Sequence, residues 1–172
     1  MAELYPRLFH SADVCVTVTT AERAFWEKIT ILHAQVKRNS ALPSRYARHY
    51  YDTIMMARHP ELKSRAFADM KLLYQVASFK HNFYRAGWAD YPNAVPGSMH
   101  LIPTERILSE LEADYENMKR EMLPADAPDF SIIMQELVQL EQEINQLTPL
   151  PLDIRNYPTM DLASPPCATL FY

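Results

Sequence analysis

The stretch that decides the fold is residues 19–38, TTAERAFWEKITILHAQVKR, which contains neither proline nor glycine. Its first four residues match a capping box, so it predicts a helix that begins there and continues to about Arg38. At about 100° per residue, Phe25, Lys28 and Leu32 share one stripe, which places a lysine among apolar side chains. An ammonium group in this stripe is costly unless it reaches a carboxylate or an anionic ligand. The alternative is that the side chain crosses the core and its charged end reaches the solvent.

Apolar periodicity predicts four further helices, so the chain is mainly α, a bundle of about five helices. Residues 86–103 hold both glycines and three prolines and are predicted to form an ordered, packed loop. The last helix is predicted to be capped by Asp126, with Asp129 in its first turn. The four helices begin and end at about residues 44–59, 63–84, 104–122 and 129–147.

A single β-strand is predicted at residues 13–18, where Val14, Val16 and Val18 alternate on one face. A lone strand has no partner for its backbone groups, so it is expected to belong to a sheet that this chain does not supply. The chain then divides into an N-terminal segment with one orphan strand, a helical domain and an irregular, proline-rich tail. Their bounds are residues 1–19, 20–147 and 148–172.

Composition excludes several classes of site. Gly87 and Gly97 are the two glycines, too few for phosphate-binding loops or dinucleotide folds. The histidines lack metal-site spacing, no Asp-x-Asp occurs, and Cys15 and Cys167 are far apart, so no metal site is expected from this chain. No export signal and no membrane-spanning apolar run is visible, which predicts a cytoplasmic protein. The missing glycine loop and the missing pair of carboxylates predict that the chain is not a complete enzyme.

Charge is divided unevenly along the sequence. Residues 22–88 contain twelve Lys/Arg and five Asp/Glu, whereas residues 89–172 contain four and fourteen. The basic part is therefore expected to face an anionic partner, which is a nucleotide, a nucleic acid or the acidic half of the same chain. These alternatives stay open on charge alone.

The polar face of the second helix carries Arg45, Arg48, His49 and Asp52 at spacings i, i+3, i+4 and i+7. Arg48 and Asp52 alone would make a surface ion pair of small energy, about 0.3–0.5 kcal/mol. Aromatic residues interleave with basic ones in residues 46–91, and such a pattern occurs both in base-stacking surfaces and in helical cores. The histidines are interpreted as structural.

Four strings in this order, ERAFWEKITILHAQ, SRYARHYYD, FKHNFYRAGWADYPNAVPGSMHLIP and LEADYENMKREM, carry a family resemblance. Over about residues 13–147 the chain resembles the C-terminal half of nucleotidyltransferases of the AbiEii/AbiGii toxin family, from type IV toxin–antitoxin and abortive infection systems. Members have an N-terminal α/β nucleotidyltransferase core with a Gly-Ser or Gly-Gly motif and paired aspartates, followed by a helical domain. The resemblance implies that the core is missing here and that the chain is truncated.

The resemblance also implies roles for individual residues. Lys28 looks like the family's lysine that contacts the nucleotide, and Asp52 looks like its later aspartate in the active cleft. Arg45 and Arg48 would lie near the nucleotide, and residues 14–18 look like the last strand of the missing core.

The resemblance further implies a nucleoside triphosphate, a tRNA acceptor, and a cognate antitoxin or separate core as partners. Mg²⁺ is expected only with the missing core. The alternative is a non-catalytic helical module that binds a separate core, an antitoxin or RNA.

Overall fold

The computed structural model describes residues 18–38, 40–84 and 86–157 of the chain. The described residues from Thr20 onwards belong to a first compact unit. The first unit is mainly helical, as predicted. Its α-helices in the described residues are Ala21–Val36 (α1), Arg48–Ala57 (α2), Pro60–Ala68 (α3), Met70–Phe83 (α4), Glu105–Glu121 (α5) and Phe130–Asn145 (α6), with 3₁₀ turns at Tyr91–Asn93 and Ile154–Asn156.

The predicted orphan strand cannot be compared with the structure over most of its length. Residues 13–17 lie outside the described ranges, and Val18 has no regular secondary structure. The three-part division of the chain stays a prediction. No helix among the described residues is long and apolar enough to cross a membrane.

Helix α1 lies at the centre of the bundle and packs against α2, α3 and α4. Phe25, Ile29 and Leu32 are fully buried, as the predicted stripe requires. The N-terminal cap lies one residue later than the capping box predicts, because Thr20 Oγ1 accepts a hydrogen bond from the backbone N–H of Arg23. The helix therefore begins within the predicted capping box, but the capping hydrogen bond joins Thr20 and Arg23 and not Thr19 and Glu22.

The predicted helix at residues 63–84 is wrong as a single element, because it is divided at Asp69 into α3 and α4. The side chain of Asp69 caps α4 by accepting the backbone N–H of Leu72 at 3.2 Å. The carbonyl of Ala66, near the end of α3, accepts the indole N–H of Trp26 in α1 at 3.2 Å. Two side chains thus satisfy the backbone groups that the division exposes.

Helix α2 begins four residues later than predicted. Asp114 in α5 accepts the backbone N–H of Arg45 through Oδ1 at 2.7 Å and that of Ala47 through Oδ2 at 2.8 Å. Arg45 has φ 61°, a left-handed conformation that interrupts a right-handed helix. The contact with α5 therefore replaces the first helical turn.

Residues 86–103 form the ordered, packed loop that the sequence predicts. Asn145 in α6 exchanges two hydrogen bonds of 2.9 Å with the backbone of Met99. Glu141, one turn earlier in α6, accepts the backbone N–H of Leu101 at 2.5 Å. Polar side chains of α6 thus satisfy loop backbone groups that have no regular partner.

Two smaller predictions have different outcomes. His33 is a structural histidine, since its Nδ1 accepts the backbone N–H of His100 and its Nε2 lies 3.2 Å from the carbonyl of Asp90.

The predicted cap of the last helix is wrong. Asp129 is the N-cap residue of α6, and its side chain pairs with Lys119 at 2.5 Å because Lys119 in α5 lies opposite it.

Candidate functional site

Lys28 and Asp52, 24 residues apart in sequence, meet between α1 and α2. Lys28 Nζ donates a hydrogen bond to Asp52 Oδ2 at 2.6 Å. The side chains keep 25% and 38% of their surfaces exposed, so both remain accessible to a ligand. The lysine of the apolar stripe therefore reaches a carboxylate and stays at the surface. A cleft of about 530 Å³ is lined by other residues, among them His81 and Tyr91, and does not include the pair.

His49 is the third member of this group and lies one turn before Asp52 on α2. Its Nδ1 is 3.5 Å from Lys28 Nζ. Burial, together with the nearby charges of Lys28 and Arg48, lowers the pKa of His49 to about 4. The imidazole is therefore neutral near pH 7, and Nδ1 accepts from the ammonium group. The interpretation of all histidines as structural missed this position.

Lys80 in α4 adds a second ammonium group to the same region. It is 8% exposed, and its Nζ donates to the carbonyl of Glu27 at 2.6 Å. Burial lowers its pKa to about 8, with further lowering by Arg23 and Lys28. The sequence contained a signal for it, since Lys80 follows the buried residues Val76 and Ala77 by four and three positions.

The two arginines predicted to bind the nucleotide have different surroundings. Arg45 turns towards α5, where its guanidinium lies 3.6 Å from Glu121. Arg48 is exposed beside His49 and contributes to lowering the pKa of that imidazole. The structure therefore places Arg48, and not Arg45, near the lysine and aspartate pair.

Part of the basic half pairs with the acidic half of the same chain, as one of the open alternatives required. Lys28, Arg48 and Lys80 lie in one region with two carboxylates, those of Asp52 and Glu27, and Glu27 also pairs with Arg23. The region is suited to an anionic ligand. The pairs between the halves are Lys37 with Asp90, Arg45 with Glu121, Arg58 with Glu136 and Lys63 with Glu143.

The aromatic residues separate into core and surface. Tyr50 is fully buried, whereas Phe83, Tyr84 and Trp88 keep 65%, 62% and 39% of their surfaces exposed. The rings of Phe79 and Phe83 lie 4.8 Å apart. The core interpretation therefore applies to Tyr50, whereas base stacking by the exposed rings stays a prediction.

A magnesium site does not fit the described residues by themselves. Within residues 18–38, 40–84 and 86–157 there is no group of three or more His, Cys, Asp or Glu side chains that could hold a metal ion. Asp52 Oδ2 is bonded to the ammonium of Lys28. We therefore derive no chemical step through Mg²⁺.

Fold and site together define a helical-bundle protein with a positively charged surface built around a lysine and aspartate pair. The family model for the nucleotidyl transferase AbiEii toxin, type IV TA system, matches residues 2–136, and the chain belongs to this family. A type IV toxin–antitoxin family implies an antitoxin partner. The comparisons with curated proteins and with solved structures gave no match.

His49 provides a pH test of the arrangement of Lys28, His49 and Asp52. Because the pKa of folded His49 lies below the ordinary value of 6.5, the unfolded chain takes up the proton first as the pH falls. The stability from neutral His49 is complete above about pH 6.5 and is lost as the pH falls towards 4. We expect His49→Asn to lose less free energy of unfolding over this range than the wild type. Urea unfolding at several pH values measures the difference.

His59→Asn is the matched control, because His59 is exposed at the N-terminus of α3. Its stability should follow the wild-type pH profile. Parallel profiles for the wild type and His49→Asn would contradict a neutral, half-buried imidazole beside Lys28.

Proposed function

We propose that this chain contributes the helical, nucleotide-binding half of a metal-dependent nucleotidyl transfer site. Lys28 with Asp52 is the observation that carries the proposal, and membership of the AbiEii family supports it. The two motifs of the core are missing from this sequence, because Asp-x-Asp does not occur and the one Gly-Ser pair, Gly97-Ser98, lies in the loop between α4 and α5 with no Asp-x-Asp after it. We propose that a truncated form or a separate polypeptide accounts for their absence, with a core outside this sequence holding Mg²⁺.

The proposed roles follow from the chemistry of the two side chains. An ammonium group has three N–H donors, so Lys28 can keep Asp52 and still donate to phosphate oxygens of a nucleoside triphosphate. A carboxylate accepts hydrogen bonds, so Asp52 can orient a hydroxyl group of the acceptor, for which we propose tRNA. Arg48 adds positive charge beside them.

A transfer assay tests the division of the site into two halves. Labelled GTP, CTP, UTP and ATP are incubated with tRNA, Mg²⁺ and the chain, alone and together with a family core that contains both missing motifs. We expect labelling of the tRNA only in the presence of that core. Magnesium-dependent labelling by this chain alone would contradict the proposal.

Nucleotide affinity provides a second test, in which the two residues should act in opposite directions. Lys28→Met removes a charged donor and is expected to weaken triphosphate binding about tenfold or more. Asp52→Asn removes the negative charge that competes for the ammonium and is expected to strengthen binding by about threefold. Titration with fluorescent triphosphate analogues measures both.

Matched controls come from exposed positions on other helices. Lys71→Met in α4 and Glu110→Gln in α5 change the net charge by the same amounts and should leave the affinity unchanged. If Lys28→Met and Asp52→Asn shift the affinity in the same direction, or behave like the controls, the pair is a structural contact.

The exposed aromatic residues favour a second candidate, a non-catalytic module that binds a separate core, an antitoxin or RNA. Phe83 and Tyr84 expose more than half of their surfaces at the end of α4. Apolar surface of this kind is typical of interfaces. Isolation of the tagged chain from cells, with and without nuclease, distinguishes the partners. Two results together would favour this candidate. A stoichiometric partner copurifies with the wild type but not with Phe83→Ser, and no nucleotide transfer occurs in any reconstitution.

A further inference from the structure

Lys80 is a buried cation that has no ion pair of its own in the described part of the chain. It keeps 8% of its surface exposed, and its ammonium donates to one backbone carbonyl, that of Glu27. None of the ion pairs in the described part of the chain includes it. A buried charge is costly unless it is paired, so the position of Lys80 needs a physical reason.

The charged groups around Lys80 leave the region positive. On α1, the carboxylate of Glu27 is held by Arg23 at 3.1 Å, so these two charges compensate each other. Lys28, the next residue, donates to Asp52 of α2. Glu27 is therefore shared between Arg23 and Lys80, and Lys80 has no ion pair of its own among the described residues.

We propose that Lys80 and Lys28 together form a polyphosphate-binding site, in which Lys80 is a second ammonium ligand for phosphate oxygens. Lys80 keeps 8% of its surface exposed, and its Nζ reaches the backbone carbonyl of Glu27, the residue before Lys28. Three N–H donors allow the ammonium to hold the carbonyl and an anion at the same time. Identification of the ligand as a nucleotide rests on the proposed function, whereas the anion chemistry does not.

The pH dependence of binding follows from the same surroundings. Burial, with Arg23 and Lys28 nearby, lowers the pKa of Lys80 to about 8, against the opposing effect of Glu27. His49, with its pKa of about 4, keeps the same charge from pH 7 to 9. An anion that binds protonated Lys80 is released as the pH rises through this region, and we expect about a fivefold loss of affinity for sulfate by pH 9. Sulfate is the probe because its charge does not change over this range.

The mutational test compares affinity with stability for the whole chain. Lys80→Met is expected to weaken tripolyphosphate binding about fivefold to tenfold, with unchanged or increased stability, because a buried unpaired charge is removed. Lys80→Arg should retain most of the affinity, and Lys71→Met is the exposed control. Calorimetric titration and urea unfolding measure the two quantities.

The outcomes separate this inference from the proposed function. If Lys80→Met loses stability and binds tripolyphosphate like the wild type, Lys80 only fastens α4 to α1, and the inference is overturned while the role of Lys28 stands. If the wild type binds tripolyphosphate through Lys80 but does not bind nucleotides, the anion site stands and the proposed function fails. If Lys80→Met does not fold, the sulfate titration of the wild type decides, since a flat profile from pH 7 to 9 overturns the inference.

Discussion

Replacing Trp26 with alanine is expected to lower the free energy of unfolding by about 4–6 kcal/mol. Truncating a fully buried tryptophan costs about 3–5 kcal/mol. Loss of the indole hydrogen bond adds about 0.5–1.5 kcal/mol, since the carbonyl of Ala66 keeps the backbone N–H of Asp69 at 3.3 Å. Trp26 is 0% exposed, and its ring packs against Phe25 at 5.2 Å and Phe67 at 6.0 Å. Its indole N–H also satisfies the carbonyl of Ala66. A loss of this size is a large fraction of the 5–15 kcal/mol typical of a domain, so the variant should be largely unfolded near 37 °C.

Trp26→Phe is the matched control because it keeps an aromatic ring in the same site. It loses the hydrogen bond to Ala66 and part of the buried area, and about 1–3 kcal/mol is expected. Urea unfolding followed by circular dichroism measures both variants. Equal losses for alanine and phenylalanine would show that the hydrogen bond, and not the packing of the ring, dominates.

Replacing Asp114 with alanine has the second largest expected effect, a loss of about 2–4 kcal/mol. Its two carboxylate oxygens accept the backbone N–H groups of Arg45 and Ala47, and Ala47 is fully buried. The hydrogen bond from the buried Ala47 to a charged acceptor contributes about 1.5–3 kcal/mol, and the exposed one from Arg45 contributes less, about 0.5–1 kcal/mol. The segment before α2 should then lose the contact that attaches it to α5.

Asp114→Asn should cost about half as much, because the amide retains one acceptor oxygen. Glu112→Ala on an exposed part of α5 is the control and should change stability by less than about 0.5 kcal/mol. Hydrogen exchange of the Ala47 amide measures the local effect. Unchanged protection of that amide in Asp114→Ala would contradict the capping role.

Which residues of a single helix are buried could be predicted well from the sequence. The α1 stripe is buried as predicted, because periodicity records which face of a helix meets the core. Errors occur where another element supplies the hydrogen bonds. Asp114 delays the start of α2, and Trp26 satisfies the end of α3 where the chain divides at Asp69. A local pattern contains no information about acceptors and donors that are 40 to 69 residues away.

The candidate site shows the same limit. The family resemblance selected Lys28 and Asp52, and the structure brings these two side chains together, while their roles in catalysis stay a prediction. Arg45 was grouped with them because it lies on the same predicted helical face. Its left-handed backbone takes it out of that helix and towards Glu121 instead.

The sequence by itself determined the mainly helical class, the packed loop and the family to which the chain belongs, because these depend on local periodicity and motif order. Only the tertiary structure decided which charges remain for a ligand. Arg45, Arg58 and Lys63 are paired with the acidic half, whereas Lys28 pairs with Asp52 within the basic half and Lys80 donates to the backbone carbonyl of Glu27. Charge pairing depends on distances between helices, and those distances are set by how the buried faces of α1, α2 and α4 pack.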